Sequence, residues 1–470
     1  MAQTSEMDEK YALMIDTPVE RLICRMAVPT IITMLISSLY NMADTYFVGS
    51  LGTGATAAVG IVFSLMAIIQ AVGFLFGQGC GNYISRELGA QNIDNAERMA
   101  ATGFISAFVA GLLIMLGLFF LEPMAKFLGA TETILPYACD YLKYILIGAP
   151  FMAASLMLNS LLRFQGSAFY GMIGMTIGAV LNVALDPLFI FVFDMGVSGA
   201  ALATMLSQVV SFFLLLYGCT RKGNVHISLK KFTPSLHMYK EVLRGGFPSL
   251  CRQALASVAA ICMNTVAGGY SDAVIAAISI VNRVTMFAIS ALTGFGQGFQ
   301  PVCGFNYGAK RYDRVKKGYW FCFKISTVAL TVIAVVSFLF APWIITLFRN
   351  DPEVIEVGTF MLRLQCFTIP LMGWAIVSNM TLQTIGKAKQ ATIMALARQG
   401  LFMLPLLYIL TPMLGLLGLE LSQPIADFAM FLISIPLTIP VLREMSDAET
   451  GKGHMQNIQE DFWKPESEGI

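Results

Sequence analysis

Long runs of apolar residues alternate along this chain with short polar gaps. A helix needs about 20 apolar residues to cross the hydrocarbon core of a bilayer, and twelve runs approach or exceed that length. They are predicted near 28–49, 58–83, 98–121, 138–162, 168–193, 199–219, 246–269, 273–301, 318–345, 359–384, 390–411 and 416–440. The pattern therefore predicts an all-α membrane protein with twelve transmembrane helices.

Composition supports this prediction and excludes other classes of protein. The 470 residues are 56% hydrophobic and 13% charged, whereas soluble domains average about 25% charged residues. A net charge of +1 gives no basic surface for nucleic acid. The nine cysteines are scattered and form no CxxC pair, so neither a disulfide framework nor a metal site is expected.

Catalytic motifs are missing from the sequence. It contains no phosphate-binding loop for ATP. The three histidines, His226, His237 and His454, all lie in polar segments. We therefore expect no enzyme activity and no cofactor.

Basic residues fall almost entirely in alternate gaps. Twenty-two lysines and arginines lie on the side of the N-terminus, against Lys126 and Arg349 on the other side. Positive loops stay in the cytoplasm, so both termini are predicted to be cytoplasmic in a multi-pass protein of the cell membrane. The polar first twenty residues do not form a signal peptide, so the first span is expected to direct its own insertion.

The two halves of the chain repeat each other. A shift of 219 residues places Pro29 on Pro248, Pro123 on Pro342, and the GQG of 77–79 on that of 296–298. The same shift places LGAQNID (88–94) on YGAKRYD (307–313). Because each half contains six spans, both enter the membrane in the same direction, as two parallel six-helix repeats.

The repeat divides the chain into segments. They are a cytoplasmic N-terminal segment (1–27), a six-helix bundle (28–219), a basic linker (220–245), a second six-helix bundle (246–440) and a cytoplasmic tail (441–470). Glycines four residues apart predict close helix approach. These are Gly73, Gly77 and Gly81 in the first half, and Gly294 and Gly298 in the second.

Two carboxylates stand where lipid-facing residues would be expected. Asp44 lies in the first span and Asp186 in the fifth, four residues after Asn182 and therefore on the same helix face. Pro187 cannot donate a backbone hydrogen bond, which frees the carbonyl of Val183. We predict an oxygen-lined site for a proton or Na⁺, with polar contacts between helices as the alternative.

Ionisable residues of the second half have no clear assignment from sequence. Arg398 could neutralise an acid or contact a substrate. Glu420 and Asp427 are seven residues apart and share a face of the last span.

These features together resemble the multidrug and toxic compound extrusion (MATE) transporters. The resemblance covers roughly residues 20–440. The motifs that carry it are PTIITMLISSLYNMADTYFVGSLG, LGAQNIDNAER, LNVALDPLFIF and GVSGAALATMLSQ. It implies a V-shaped pair of bundles with a central cavity, in which a cation is exchanged for substrate.

The DinF-type branch of that family matches best. It implies an ion site in the first bundle at Asp44, Asn182, Asp186, Thr204 and Tyr141, and a substrate cavity with Ser37, Tyr40 and Asn159. The NorM-type branch also uses acids in the seventh and tenth spans, but 248–271 and 359–384 contain no Asp or Glu.

The predicted function is secondary antiport, in which amphipathic and often cationic drugs or metabolites leave the cell in exchange for H⁺ or Na⁺. The alternative within the same superfamily is a flippase for lipid-linked oligosaccharides, and a further class is a membrane scaffold or receptor. The expected partners are small molecules and membrane lipid, with the protein acting as a monomer. The sequence leaves the natural substrate open.

Overall fold

The computed structural model describes residues 2–449, apart from the side chains of residues 2–5, 53 and 272. Within this range all regular structure is helical. An N-terminal helix (Ala2–Asp16) precedes twelve helices long and apolar enough to cross a membrane, which confirms the predicted class. These spans, numbered 1 to 12, are Val19–Gly49, Gly54–Gly89, Ile93–Phe127, Leu135–Phe164, Ala168–Val192, Gly196–Cys219, Leu236–Ala267, Ala273–Gly308, Tyr312–Leu339, Pro352–Thr384, Ala388–Leu414 and Leu416–Glu449.

Several helices extend beyond the apolar runs. Span 1 begins at Val19 rather than 28, because its first turns are amphipathic: Leu22, Ile23 and Met26 are buried. Charged residues on the other face lower the average hydropathy there. Span 7 begins inside the predicted linker, where the Ser235 hydroxyl accepts a hydrogen bond from the Met238 amide at 3.3 Å and caps the helix. Of the predicted tail, residues 450–470 lie outside the described part of the chain.

Each half of the chain packs around a central helix. Span 4 contacts spans 2, 3 and 6 in the first half, and span 10 contacts spans 8, 9 and 12 in the second. Glycines permit these contacts: a Cβ on Gly77 would lie 2.6 Å from the Ser160 hydroxyl, and one on Gly81 would lie 2.0 Å from the Phe164 ring. The predicted close approach at these glycines is confirmed.

The two halves meet at one end of the molecule, which we call the linker face. It carries the N-terminal helix, the linker and the turns 90–92 and 309–311; the opposite end is the distal face. Span 2 packs on span 7, and span 1 on span 8. A Cβ on Gly79 would lie 2.2 Å from the Val242 carbonyl oxygen, and one on Gly298 would lie 2.4 Å from the Ala27 Cα. The halves therefore touch backbone to backbone at this face.

Toward the distal face the halves separate. Midway along spans 1 and 8, the Ser38 and Ser290 hydroxyls still meet at 3.3 Å. This is the most distal hydrogen bond between the two halves among the described residues. The halves therefore separate beyond it and form the predicted V, with a cleft at the distal face.

Candidate functional site

Asp44 lies in the distal half of span 1, beside the cleft. Two polar neighbours on the same helix donate hydrogen bonds to its backbone. The Asn41 amide donates to the Ser37 carbonyl and the Thr45 hydroxyl to the Asn41 carbonyl, each at 2.8 Å. The buried Oδ1 of Asp44 has no hydrogen-bond partner among the described residues. Asp44 thus has a buried acceptor oxygen that is not used within the helix.

Asp186, Asn182 and Thr204 form a buried group between spans 5 and 6. All three are almost fully buried. With the Asn182 amide oriented to give both of its polar atoms complementary partners, Nδ2 donates to Asp186 Oδ2 at 3.1 Å. Its Oδ1 then accepts from the Thr204 hydroxyl and amide, each at 3.2 Å. Asp186 Oδ1 has no partner within the described part of the chain.

The carboxylates of spans 1 and 5 belong to one cluster. Asp44 and Asp186 lie close enough for the charge on one to act on the other. The hydroxyls of Tyr40 and Tyr141 are near both carboxylates and near Thr204. Tyr141 is fully buried, and its hydroxyl has no hydrogen-bond partner in the described structure. The structure thus brings the five predicted ion-site residues together and adds Tyr40 to them.

The other two residues predicted for the substrate cavity, Ser37 and Asn159, are not part of the acid cluster. Ser37 is half-buried on span 1, one turn from Asn41. Asn159 packs between spans 4 and 5, where a Cβ on Gly171 would lie 2.6 Å from its Oδ1. It lies 18 residues after Tyr141 on the same helix, a distance of roughly 27 Å. Asn159 is therefore near the linker face and away from the acid cluster.

A local widening of the helix adjoins Asp186. Span 5 is α-helical to Pro187 and continues as a π-helix over Leu188–Val192. Such turns are rare and often occur at functional sites. Span 11 has a similar break, a π-helix over Ala397–Met403 just before Pro405. In both halves the fifth helix is interrupted near ionisable residues.

In the second half one buried acid, Asp427, is fully paired. Asp427 accepts hydrogen bonds from Arg398 Nε at 2.7 Å, Gln365 Nε2 at 2.6 Å and Gln423 Nε2 at 2.8 Å. This arrangement answers what the sequence left open, because Arg398 neutralises an acid. Gln365 and Gln423 escaped sequence reasoning, although Gln423 lies four residues before Asp427 on the same helix. Glu420 is nearly buried and forms no hydrogen bond or ion pair with other described residues.

Hydrogen bonds also close the linker face. Arg86 of span 2 pairs with Glu241 of span 7 at 3.0 Å and donates to the Thr384 carbonyl at 2.7 Å. Arg244 pairs with Glu241 at 3.1 Å and donates to the Gly386 carbonyl at 2.9 Å. Arg86 thus connects the first half to two segments of the second. A route through this face would require those bonds to break.

The chemistry of the acid cluster suits a hard cation or a proton. It supplies carboxylate, amide, hydroxyl and phenol oxygens, the ligand types that bind Na⁺ or hold a proton. Within residues 2–449, where side chains are described, no group of three or more His, Cys, Asp or Glu residues has the arrangement of a transition-metal site. The cluster is therefore a candidate for ion binding and release.

Comparison with known proteins gives a consistent result. The MatE family model matches residues 29–188 and 248–409. The chain is similar to the multidrug export protein MepA of Staphylococcus saprophyticus, with 31% identity over 404 residues, which cover 85% of this chain and 89% of that protein.

Solved structures share the fold. One, described as the outward-facing conformation of a multidrug resistance MATE family transporter of the MOP superfamily, is 27% identical with a TM-score of 0.87, covering 93% of this chain and 98% of its own. Another, a MATE in the bent conformation, also has 27% identity and a TM-score of 0.87, covering 94% of this chain and 99% of its own.

Proposed function

Because this chain belongs to the MATE family of multidrug transporters, we propose that it is a secondary antiporter. It exports amphipathic, often cationic drugs or metabolites and takes up H⁺ or Na⁺ in return. The observation that carries the proposal is the pair of carboxylates, Asp44 and Asp186, which share one cluster without a basic partner among the described residues. Two acids so placed favour the uptake of a cation or a proton.

The coupling ion binds at that cluster. Asp44 and Asp186 supply the charge, and Asn182, Thr204 and Tyr141 supply neutral oxygens. Tyr40, a residue of span 1, forms part of the wall of the cluster on that side. The same oxygens suit H⁺ and Na⁺, so the choice of ion rests on the transport experiment below.

The substrate occupies the cleft between the halves. Its wall on span 1 includes Ser37 and the exposed Met42, which lies one turn beyond Ser38, the residue that faces span 8. Apolar and methionine side chains adapt to ligands of different shapes, and the nearby acids favour positive charge. The same acids argue against the lipid-linked oligosaccharide alternative, since a diphosphate linkage would be repelled by them.

The linker face is cytoplasmic and the distal face is external. The support is the positive-inside rule, because the lysines and arginines of the gaps concentrate on the linker side. The described conformation, closed at the linker face, is then the outward-open state of a monomer in the cell membrane.

Ion and substrate exclude each other in the cycle. If a bound ion lowers substrate affinity by some factor, bound substrate lowers ion affinity by the same factor. Neutralising Asp44 lets its surroundings become drier, and span 1 bends near Pro29, where the helix lacks one hydrogen bond. The bent conformation described for a solved relative supports a shape change in this fold. Exchange of two protons for one monovalent cation adds about 2.3 kcal/mol per 100 mV of membrane potential.

Dye transport into inside-out membrane vesicles tests the proposal. Vesicles that contain the wild-type protein should accumulate ethidium when a proton or sodium gradient is imposed, and collapse of the coupling gradient should stop accumulation. Asp44→Asn should abolish uptake. Asp140→Asn, which changes an exposed carboxylate at the distal end of span 4, is the matched control and should transport normally. Wild-type uptake by Asp44→Asn at equal expression would refute the coupling role.

A further inference from the structure

The N-terminal helix (Ala2–Asp16) has a face built for packing. Met7, Tyr11, Met14 and Ile15 recur at the spacing of one helical stripe. Met14 and Ile15 are buried. Met14 lies against Gly166, whose Cβ, if present, would be 3.3 Å from the methionine sulfur. This polar segment is therefore folded onto the linker face.

The middle of the N-terminal helix attaches to the first half and to the adjoining linker. The Lys10 ammonium donates to the Ser167 hydroxyl at 2.7 Å, to Asn224 Oδ1 at 2.7 Å and to the Gly223 carbonyl at 3.2 Å. Ser167 belongs to the turn between spans 4 and 5, and the other two to the linker. An ammonium has three donors, and all three are used on neutral acceptors.

The C-terminal end of the N-terminal helix attaches to the second half. Asn306 Nδ2 of span 8 donates to the Met14 carbonyl at 3.4 Å. Arg314 of span 9 donates to the Thr17 carbonyl through Nη2, and its Nε donates to Asn306 Oδ1 at 2.7 Å. The Asn306 and Arg314 side chains therefore bind the backbone carbonyls of the stretch from Met14 to Thr17.

The two attachments lie on opposite sides of the seam between the halves. Lys10 and Thr17 are seven residues apart, which is roughly 10 Å of mostly helical chain. Such a segment cannot lengthen without losing its hydrogen bonds. The halves cannot move apart at this face while both attachments hold.

We infer that the N-terminal helix is a strap across the linker face, which must release the Lys10 attachment before the two halves can open there. This inference rests on the proposed function in one respect: transport requires the linker face to open. Lys10 is the weaker attachment, because its partly buried ammonium has only neutral acceptors and gains hydration on release, whereas the carboxylates of Asp16 and Glu20 lie near Arg314. A cavity of about 240 Å³, lined by Tyr11, Leu88 and Phe305 among others, adjoins the Lys10 side chain.

Alkylation of a cysteine at the seam tests the strap. Val242 is 2% exposed and packs by its backbone on Gly79, so Val242→Cys reports opening in a protein whose nine native cysteines are replaced by alanine. In nanodiscs, Lys10→Met should label at least fivefold faster with a maleimide than the parent protein. Glu9→Gln, an exposed neighbour on the same helix, should label at the parent rate.

An unchanged rate in Lys10→Met, with a monodisperse protein, would overturn the strap. If Lys10→Met does not fold, Ser167→Ala provides a second test, because it removes one hydrogen-bond acceptor of Lys10 and should still increase the labelling rate. An unchanged labelling rate in Ser167→Ala would equally contradict the inference. Hydrogen exchange of residues 6–16 should rise in the same variants. Labelling needs no ion gradient. If the protein shows no antiport but Lys10→Met still increases the labelling rate, the proposed function is refuted and the strap is supported.

Discussion

Arg398 donates to Asp427 at 2.7 Å in the second half, whereas Asp186 in the first half has no basic partner among the described residues. The 219-residue shift places Thr204 on Gln423, so each half has a polar residue of its sixth span near its buried acid. The two six-helix repeats therefore differ in the electrostatics around Asp186 and Asp427. Asp427 is saturated by internal donors, whereas Asp186 keeps an acceptor oxygen without a partner in the described structure.

Substrate affinity should depend on the coupling ion. If ion and substrate exclude each other at Asp44 and Asp186, raising the ion concentration should weaken dye binding to purified protein in proportion to ion occupancy. Fluorescence titration with ethidium across pH and Na⁺ concentration measures this. Affinity that is flat with both, in protein that transports, would rule out direct competition.

The acid cluster should respond to substitution in a graded way. Asp186→Asn should reduce gradient-driven uptake at least tenfold, because it removes one of the two carboxylate charges of the cluster. Asn182→Ala and Thr204→Ala should reduce uptake less, since each removes only neutral oxygens. Initial uptake rates at matched expression provide the comparison. Wild-type rates in all three variants would show that the ion binds elsewhere.

Gly79→Ala should impair closure of the linker face. Its Cβ would lie 2.2 Å from the Val242 carbonyl oxygen, although alanine favours an isolated helix by up to about 1 kcal/mol. The expected result is at least a tenfold loss of transport with normal insertion. Gly60→Ala is the control on the same helix, because nothing lies within 4 Å of its Cβ. Equal activity of the two variants would contradict the tight seam.

Arg398→Met should destabilise the second half. Removing one partner of a buried ion pair costs about 3–5 kcal/mol, because the other charge remains buried. Thermal unfolding in detergent should therefore show a clear drop in Tm, partly restored by adding Asp427→Asn. Lys126→Met, which breaks the exposed pair with Glu132, should leave Tm almost unchanged. A stable Arg398→Met protein would indicate that Gln365 and Gln423 suffice for Asp427.

The strap should dock more firmly as pH rises. Burial lowers the pKa of Lys10 from an ordinary value of 10.5 to about 7. The nearby ionisable groups are Asp8 and Tyr11, which line the same cavity, Glu6, which packs on Gly223, and the Cys219 thiol. Docking releases a proton, so its stability increases from about pH 7 toward pH 10.5 and is constant below pH 7. Hydrogen-exchange protection of residues 6–16, corrected for intrinsic rates, should follow this course and be flat in Lys10→Met.

Much of this arrangement was predictable because lipid imposes a strict length and polarity on each span. Asp44 and Asp186 were found as carboxylates that hydrocarbon would exclude, and the glycines by their spacing. The strap was not predicted, since its apolar stripe is short and its composition resembles a solvated tail. Gln365 was missed because its partner, Asp427, lies 62 residues away in sequence and meets it only through packing.

The seam at the linker face has a consequence for ion leak. At Gly79, Gly89 and Gly308 the halves meet through main-chain atoms, which have no rotamers to adjust. A gap of about 1 Å already forfeits up to half of the dispersion attraction between such surfaces. Partial closure is therefore poorly stabilised, and the face is either shut or well apart. In the proposed antiport cycle, a barrier of this kind would limit the time in which ions could pass uncoupled, so glycines distant from the acid cluster would protect the stoichiometry of exchange.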